Sequence, residues 1–132
     1  MNDNPKKLNI EVTTRCNLNC EMCMRRVWQE DTGDMSLETY QALVPLFPKI
    51  GSVNLLGIGE PLLNEHILEM IRLAKTHLPP NGTFSLTTNG TLIDKQMATQ
   101  LVSAGVDDIV VSIDGASADT FNEIRQGANL AQ

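Results

Sequence analysis

All three cysteines of this 132-residue chain, Cys16, Cys20 and Cys23, fall in one stretch, Cys-Asn-Leu-Asn-Cys-Glu-Met-Cys. Soft metals are held by thiolates gathered in one place, and C-x3-C-x2-C spacing gathers three. A closed zinc site wants four ligands, and the only histidines, His66 and His77, stand far along the chain on a predicted helix. Asn17, Asn19 and Glu21 make the loop polar, which argues against inert thiols in an apolar core. Three ligands leave one coordination position open, and an open position is where a metal site does chemistry.

The elements that must position this loop alternate between strand and helix. Leu8, Ile10 and Val12 alternate with Asn9, Glu11 and Thr13, predicting a first strand that ends at Thr14. The cysteine loop runs on as a polar connection through Gly33. Ser36 then reads as a helix N-cap, with Leu37, Tyr40, Leu43, Val44 and Phe47 on an apolar face. Pro45 and Pro48 end or kink that helix early. Val53 to Leu56 predicts a second strand, and Asn64 a cap for a second helix burying Ile67, Met70, Ile71 and Ala74. After the turn cluster Pro79-Pro80-Asn81-Gly82, Phe84 to Thr88 reads as a third strand. A third helix is expected from about Ile93 to Ala104, burying Met97, Leu101 and Ala104 and stopping at Gly105. Ile109 to Ile113 is a continuous apolar run, the pattern of a strand covered on both faces. Ser117 caps a fourth helix with Phe121 and Ile124 inward and Gly127 at its end.

Such alternation predicts right-handed crossovers and an α/β fold with a parallel sheet of about four βα units. Four units cannot close an eight-stranded barrel, so the expectation is an open sheet or part of something larger. Each unusual polar motif directly follows a predicted strand. The cysteines follow the first, Gly57-Ile58-Gly59-Glu60-Pro61 the second and Thr88-Asn89-Gly90 the third, while Ser112-Ile113-Asp114-Gly115 closes the fourth. In parallel α/β architectures these positions share one sheet edge, where ligands bind. Taken singly, the glycine segment also reads as a strand-to-helix turn, and Asn89-Gly90 and Asp114-Gly115 as turn chemistry.

Hydrophobic content of 42% and charged content of 20% suit a soluble globular domain and exclude wholesale disorder. A formal net charge of -6 argues against nucleic acid as a partner. The basic pairs Lys6-Lys7 and Arg25-Arg26 read as solvated surface. No apolar run approaches the roughly 20 residues of a membrane span. The first residues lack the apolar region of a signal peptide and the cysteine count is odd, so the expected compartment is the cytoplasm.

The cysteine spacing and the motifs at the strand ends resemble those of the radical S-adenosylmethionine (SAM) enzymes, over essentially the whole chain. The resemblance implies a (βα)6 partial TIM barrel, with residues 1–132 as the N-terminal portion of its core domain, lacking the fifth and sixth βα units. It implies that Cys16, Cys20 and Cys23 hold a [4Fe-4S] cluster whose fourth iron binds SAM. Reductive cleavage of SAM then gives a 5′-deoxyadenosyl radical that abstracts hydrogen from substrate. A reductant such as ferredoxin or flavodoxin is implied as a partner.

By the same resemblance, Gly57, Gly59 and Glu60 form the glycine-rich glutamate motif that meets the SAM amino group, with Ile58 where a second adjacent glycine is usual. Thr88 and Asn89 match the third-strand element, and Ser112 and Asp114 the fourth. Arg125 matches an arginine that reaches the SAM carboxylate, and a guanidinium fork suits that group. Met22 stands where relatives place an aromatic residue leaning towards adenine, and Asn17 matches a loop-orienting position. No catalytic residue is implied. Met24, Trp28 and Met35 read as packing residues, with Trp28 alternatively lining a substrate channel. The N-terminal stretch is most similar to SPASM-type maturases associated with tungsten- or molybdenum-cofactor enzymes, which implies peptide or cofactor maturation. The alternative is a non-catalytic iron–sulfur or metal-binding module using the same three cysteines.

Overall fold

The computed structural model describes residues 7–130. Lys6 of the first basic pair, and the preceding residues read for a leader segment, lie outside them. Four strands form one sheet: β1 (Lys7–Ile10), β2 (Ser52–Leu55), β3 (Thr83–Thr88) and β4 (Asp108–Val111). They lie side by side in chain order and every pairing is parallel. The helices between and after them are α1 (Leu37–Gln41), α2 (Ile67–His77), α3 (Lys95–Ala104) and α4 (Ala118–Ile124). The parallel α/β sheet expected from the alternation is therefore present.

Period-two burial orients the sheet. Phe84, Leu86 and Thr88 are buried while Thr83, Ser85 and Thr87 are not. Phe84 and Leu86 join Ile10, Val12, Val53 and Leu55 on the face that meets the helices. Against them pack Met70, Ile71 and Ala74 of α2 and Leu101 and Ala104 of α3. Each fully buried Val, Leu, Ile, Met or Phe among them contributes about 1.5–3 kcal/mol relative to an exposed one. Ser36 caps α1, its Oγ accepting from the Thr39 N–H at 3.1 Å. The helix stops at Gln41, and Pro45 and Pro48 enter a 3-10 segment, Val44–Lys49, that still buries Phe47 against Tyr40, ring centroids 5.7 Å apart. Burial pushes the Tyr40 hydroxyl well above its ordinary pKa.

Five expectations move. The first strand stops pairing at Ile10, and Thr13 instead forms an antiparallel bridge to Asp34. Asn64 does not cap α2, which begins after His66. Its buried amide donates to Val12 O (2.8 Å) and Met35 O (3.0 Å) while its oxygen accepts from His66 N. Helix α3 starts at Lys95, because Asp94 caps it through Met97 N at 2.7 Å, and Met97 is only partly buried. The largest change is β4. Ile109, Val110, Val111 and Ile113 are 39–54% exposed, because β4 ends the strand order and α4 does not lie across it. Helix α4 reaches the cysteine loop instead, where Asn19 N donates to Gln126 O (2.9 Å) and Glu21 N to Ile124 O (2.8 Å). It ends at Ile124, short of Gly127, which leaves Arg125 as its C-cap. Among the described residues no helix is long and apolar enough to cross a membrane.

Candidate functional site

Beyond the strand ends lies one cavity of about 320 Å³, and the expected residues collect in it. Cys16, Cys20, Cys23 and Met22 enter from the loop after β1, and Gly57, Gly59 and Glu60 from the loop after β2. Thr88 and Asn89 come from the end of β3, Ser112 from beyond β4, and Arg125 from the cap of α4. Asp114 is outside the lining. Its backbone takes a positive φ of 58°, and its carboxylate pairs with the Arg125 guanidinium. All three thiols are free, Cys20 buried and the other two partly so. Among the described residues no three His, Cys, Asp or Glu side chains are grouped to hold a single metal ion, and the three thiols line the cavity.

The base of the cysteine loop is pinned before the first thiol. Arg15 grips Asp34 with two N–H donors, Nε at 3.0 Å and Nη2 at 2.6 Å, and Nη2 also donates to Leu63 O at 2.7 Å. The Arg15 bond, aided by Thr13, holds the Asp34 carboxyl below its ordinary pKa, against the burial that would raise it. Gly59 belongs where it is because its Cα faces the carbonyls of Thr13 and Arg15, with no room for a Cβ. Glu60 N donates to Arg15 O at 2.7 Å, stitching this loop to the first.

Glu60 is only 2% exposed and is engaged on both oxygens. Oε1 accepts from the Thr88 hydroxyl (2.7 Å) and Leu62 N (3.2 Å), and Oε2 from Asn89 N (2.7 Å). Glu60 is therefore not a solvated turn residue. Arg125 is likewise drawn inwards, with a side chain 13% exposed and an Nε that is buried without a partner. Two further lining residues, Ile58 and Thr87, were not expected. Nor was Glu11, whose carboxylate accepts from Ile58 N at 2.5 Å and fixes the glycine loop from β1. Its signal was the polar alternation of the first strand, which turns Glu11 away from the face of Ile10 and Val12. Met24, Val27 and Trp28, beyond the loop, are exposed rather than packed.

A protein-family model described as the Radical SAM superfamily matches residues 10–132. A tungsten-containing aldehyde ferredoxin oxidoreductase cofactor-modifying protein of Pyrococcus furiosus is 34% identical over 112 residues, covering 83% of this chain and 31% of the relative. An AdoMet-dependent heme synthase of Oleidesulfovibrio alaskensis is 38% identical over 117 residues, 87% of this chain and 29% of the relative. The chain thus spans about a third of the length of these curated relatives. Among solved structures, BtrN in complex with AdoMet and 2-DOIA superposes with a TM-score of 0.77 at 23% identity, covering 89% of this chain and 49% of that one. That likeness speaks for the fold, a partial TIM barrel.

Proposed function

The chain belongs to the radical SAM superfamily, and we propose that it holds a [4Fe-4S] cluster on Cys16, Cys20 and Cys23 and presents SAM to it. The observation that carries this reading is one cavity in which three free thiols face a carboxylate, a hydroxyl and a guanidinium. The donor set suits both groups. Thiolates suit iron–sulfur clusters, and an amino acid such as methionine offers one ammonium and one carboxylate to the remaining side chains. The cluster, when bound, would supply the electron that cleaves SAM reductively to methionine and a 5′-deoxyadenosyl radical for hydrogen abstraction.

This chain's residues bind and orient. Glu60 takes the SAM amino group with acceptor capacity left on Oε2, while Gly57 and Gly59 keep the backbone close. Arg125 lines the cavity and offers its cation to the SAM carboxylate, Asp114 steadying the guanidinium from outside, and Ser112 adds a hydroxyl. Thr88 and Asn89 fix the third-strand wall, and Met22 packs its polarizable thioether on the adenine. The names of the relatives, cofactor-modifying protein and heme synthase, support a role in cofactor or peptide maturation. A reductant such as ferredoxin or flavodoxin is the partner that role requires, and the cytoplasm its compartment.

Anaerobic reconstitution with iron and sulfide tests the reading. The protein is expected to take up a cluster, and replacing any one of the three cysteines by alanine to lose it. Dithionite and SAM are then expected to yield 5′-deoxyadenosine. A loaded protein that leaves SAM intact would overturn the activity, and one that loads equally without Cys16 would overturn the ligand set.

A further inference from the structure

Two of the three thiols receive side-chain N–H donors from outside the cysteine loop. Asn89 Nδ2 lies 3.8 Å from Cys16 Sγ, and Arg125 Nη1 lies 3.7 Å from Cys20 Sγ. Among the bonds described, none reaches the sulfur of Cys23. The donors come from different elements, the end of β3 and the cap of α4. We infer that Asn89 and Arg125 set the reduction potential of the cluster by donating hydrogen bonds to its ligand sulfurs, a role that rests on the proposed cluster site.

The Asn89 amide has only one orientation open to it. Its Oδ1 accepts from the Thr91 backbone N–H at 3.0 Å, and a backbone N–H can only donate, so Nδ2 must face the other way. A closed ring of side chains repeats the same instruction. Asn17 Nδ2 donates to Thr91 Oγ1 (2.8 Å), the Thr91 hydroxyl to Asn89 Oδ1 (2.7 Å), and Asn89 Nδ2 back to Asn17 Oδ1 (2.9 Å). One Nδ2 hydrogen closes the ring, and the second is left for Cys16. That sulfur also receives the Leu18 N–H at 3.5 Å.

Arg125 is held differently. Nη2 is committed to Asp114, and backbone bonds from Asn19 and Glu21 dock its segment on the cysteine loop. Nη1 is thereby aimed at Cys20, which is only 7% exposed. A hydrogen bond to a thiolate favours the more negative, reduced cluster and raises its potential. A charged donor does so more strongly than an amide.

The experiment is potentiometry of the reconstituted chain without SAM, so that any contact of Arg125 with SAM contributes nothing. Iron and sulfide content are measured first. Arg125→Gln is expected to stay loaded and to disfavour reduction roughly tenfold, about 59 mV for a one-electron couple. Asn89→Ala is expected to shift it the same way by less, and the double variant by about the sum. Arg72→Gln removes the same charge from an exposed position of α2 and is expected to match the parent. If Arg125→Gln does not load, Arg125→Lys serves in its place, with a smaller fall expected because the cation remains. In resonance Raman the Fe–S(Cys) bands of the parent are expected to shift in D2O more than those of the double variant. Loaded variants with the parent's potential would overturn the proposal, as would Arg72→Gln shifting as far as Arg125→Gln. A parent that takes up no iron would overturn the cluster site itself, and this role with it.

Discussion

Glu60 shows how one side chain serves both the fold and the site. Its carboxylate joins the loop after β2 to the end of β3, accepting from two backbone N–H groups and one hydroxyl while nearly sealed from water. Glutamine keeps the shape but converts one acceptor into a donor. Whichever way the amide turns, a backbone N–H of Leu62 or Asn89 then faces an NH2 group. Leaving a buried donor unsatisfied costs about 1–3 kcal/mol. Glu60→Gln is therefore expected to lower the unfolding free energy of the cluster-free chain by about that amount, read as a lower urea midpoint with an unchanged m value. A midpoint equal to that of the parent would mean that Glu60 is free of the fold and reserved for a ligand. Its placement beside a turn was legible in Gly-Glu-Pro. Its burial was not, because the groups that bury it come from Thr88 and Asn89, distant in sequence.

At the scale of elements, the two glycines of the same loop differ in what confronts them. A Cβ on Gly59 would overlap the carbonyls of Thr13 and Arg15, which belong to backbone pinned by the Arg15–Asp34 pair. The nearest atoms to a Cβ on Gly57 all belong to the Glu11 side chain, which can swing away at the loss of its bond to Ile58 N. Overpacking against rigid backbone costs about 1–3 kcal/mol, so Gly59→Ala is expected to melt clearly below Gly57→Ala. Equal melting temperatures would show that the chain before Cys16 yields as readily as a side chain. The helix starts at Ser36 and Ser117 were readable because each cap binds an amide three residues on, within the local sequence. Asn64 was misread because its partners, Val12 and Met35, are tertiary. In β4, apolarity was visible but sheet position was not, and position decides exposure.

For the molecule as a whole, helices clothe one face of the sheet, the loops that line the cavity crowd one end, and β4 leaves an apolar edge of the kind that templates pairing. The convergence of the loops was legible because strand–helix alternation alone dictates which ends face together. The ring of Asn17, Thr91 and Asn89 was not, since it depends on how two loops meet. Away from that end, Asp107 fastens three elements, accepting from Lys75 Nζ of α2 at 2.7 Å and from Phe84 N of β3 at 2.6 Å while leading into β4. Burial alone would raise its pKa, but the bonds from Lys75 and Phe84 N outweigh it and hold the carboxyl below its ordinary value. A depressed native pKa means that the unfolded chain binds the proton more readily. The contribution of Asp107 to stability is thus full above about pH 4, the unfolded carboxylate range, and fades as pH falls through the native value. Asp107→Asn is accordingly expected to melt below the parent at pH 7, with the gap narrowing as the solution is taken below about pH 4. Thermal melts of both proteins across that range check it, and a gap that stays constant or widens in acid would assign the stability to the shape of the side chain rather than to its charge.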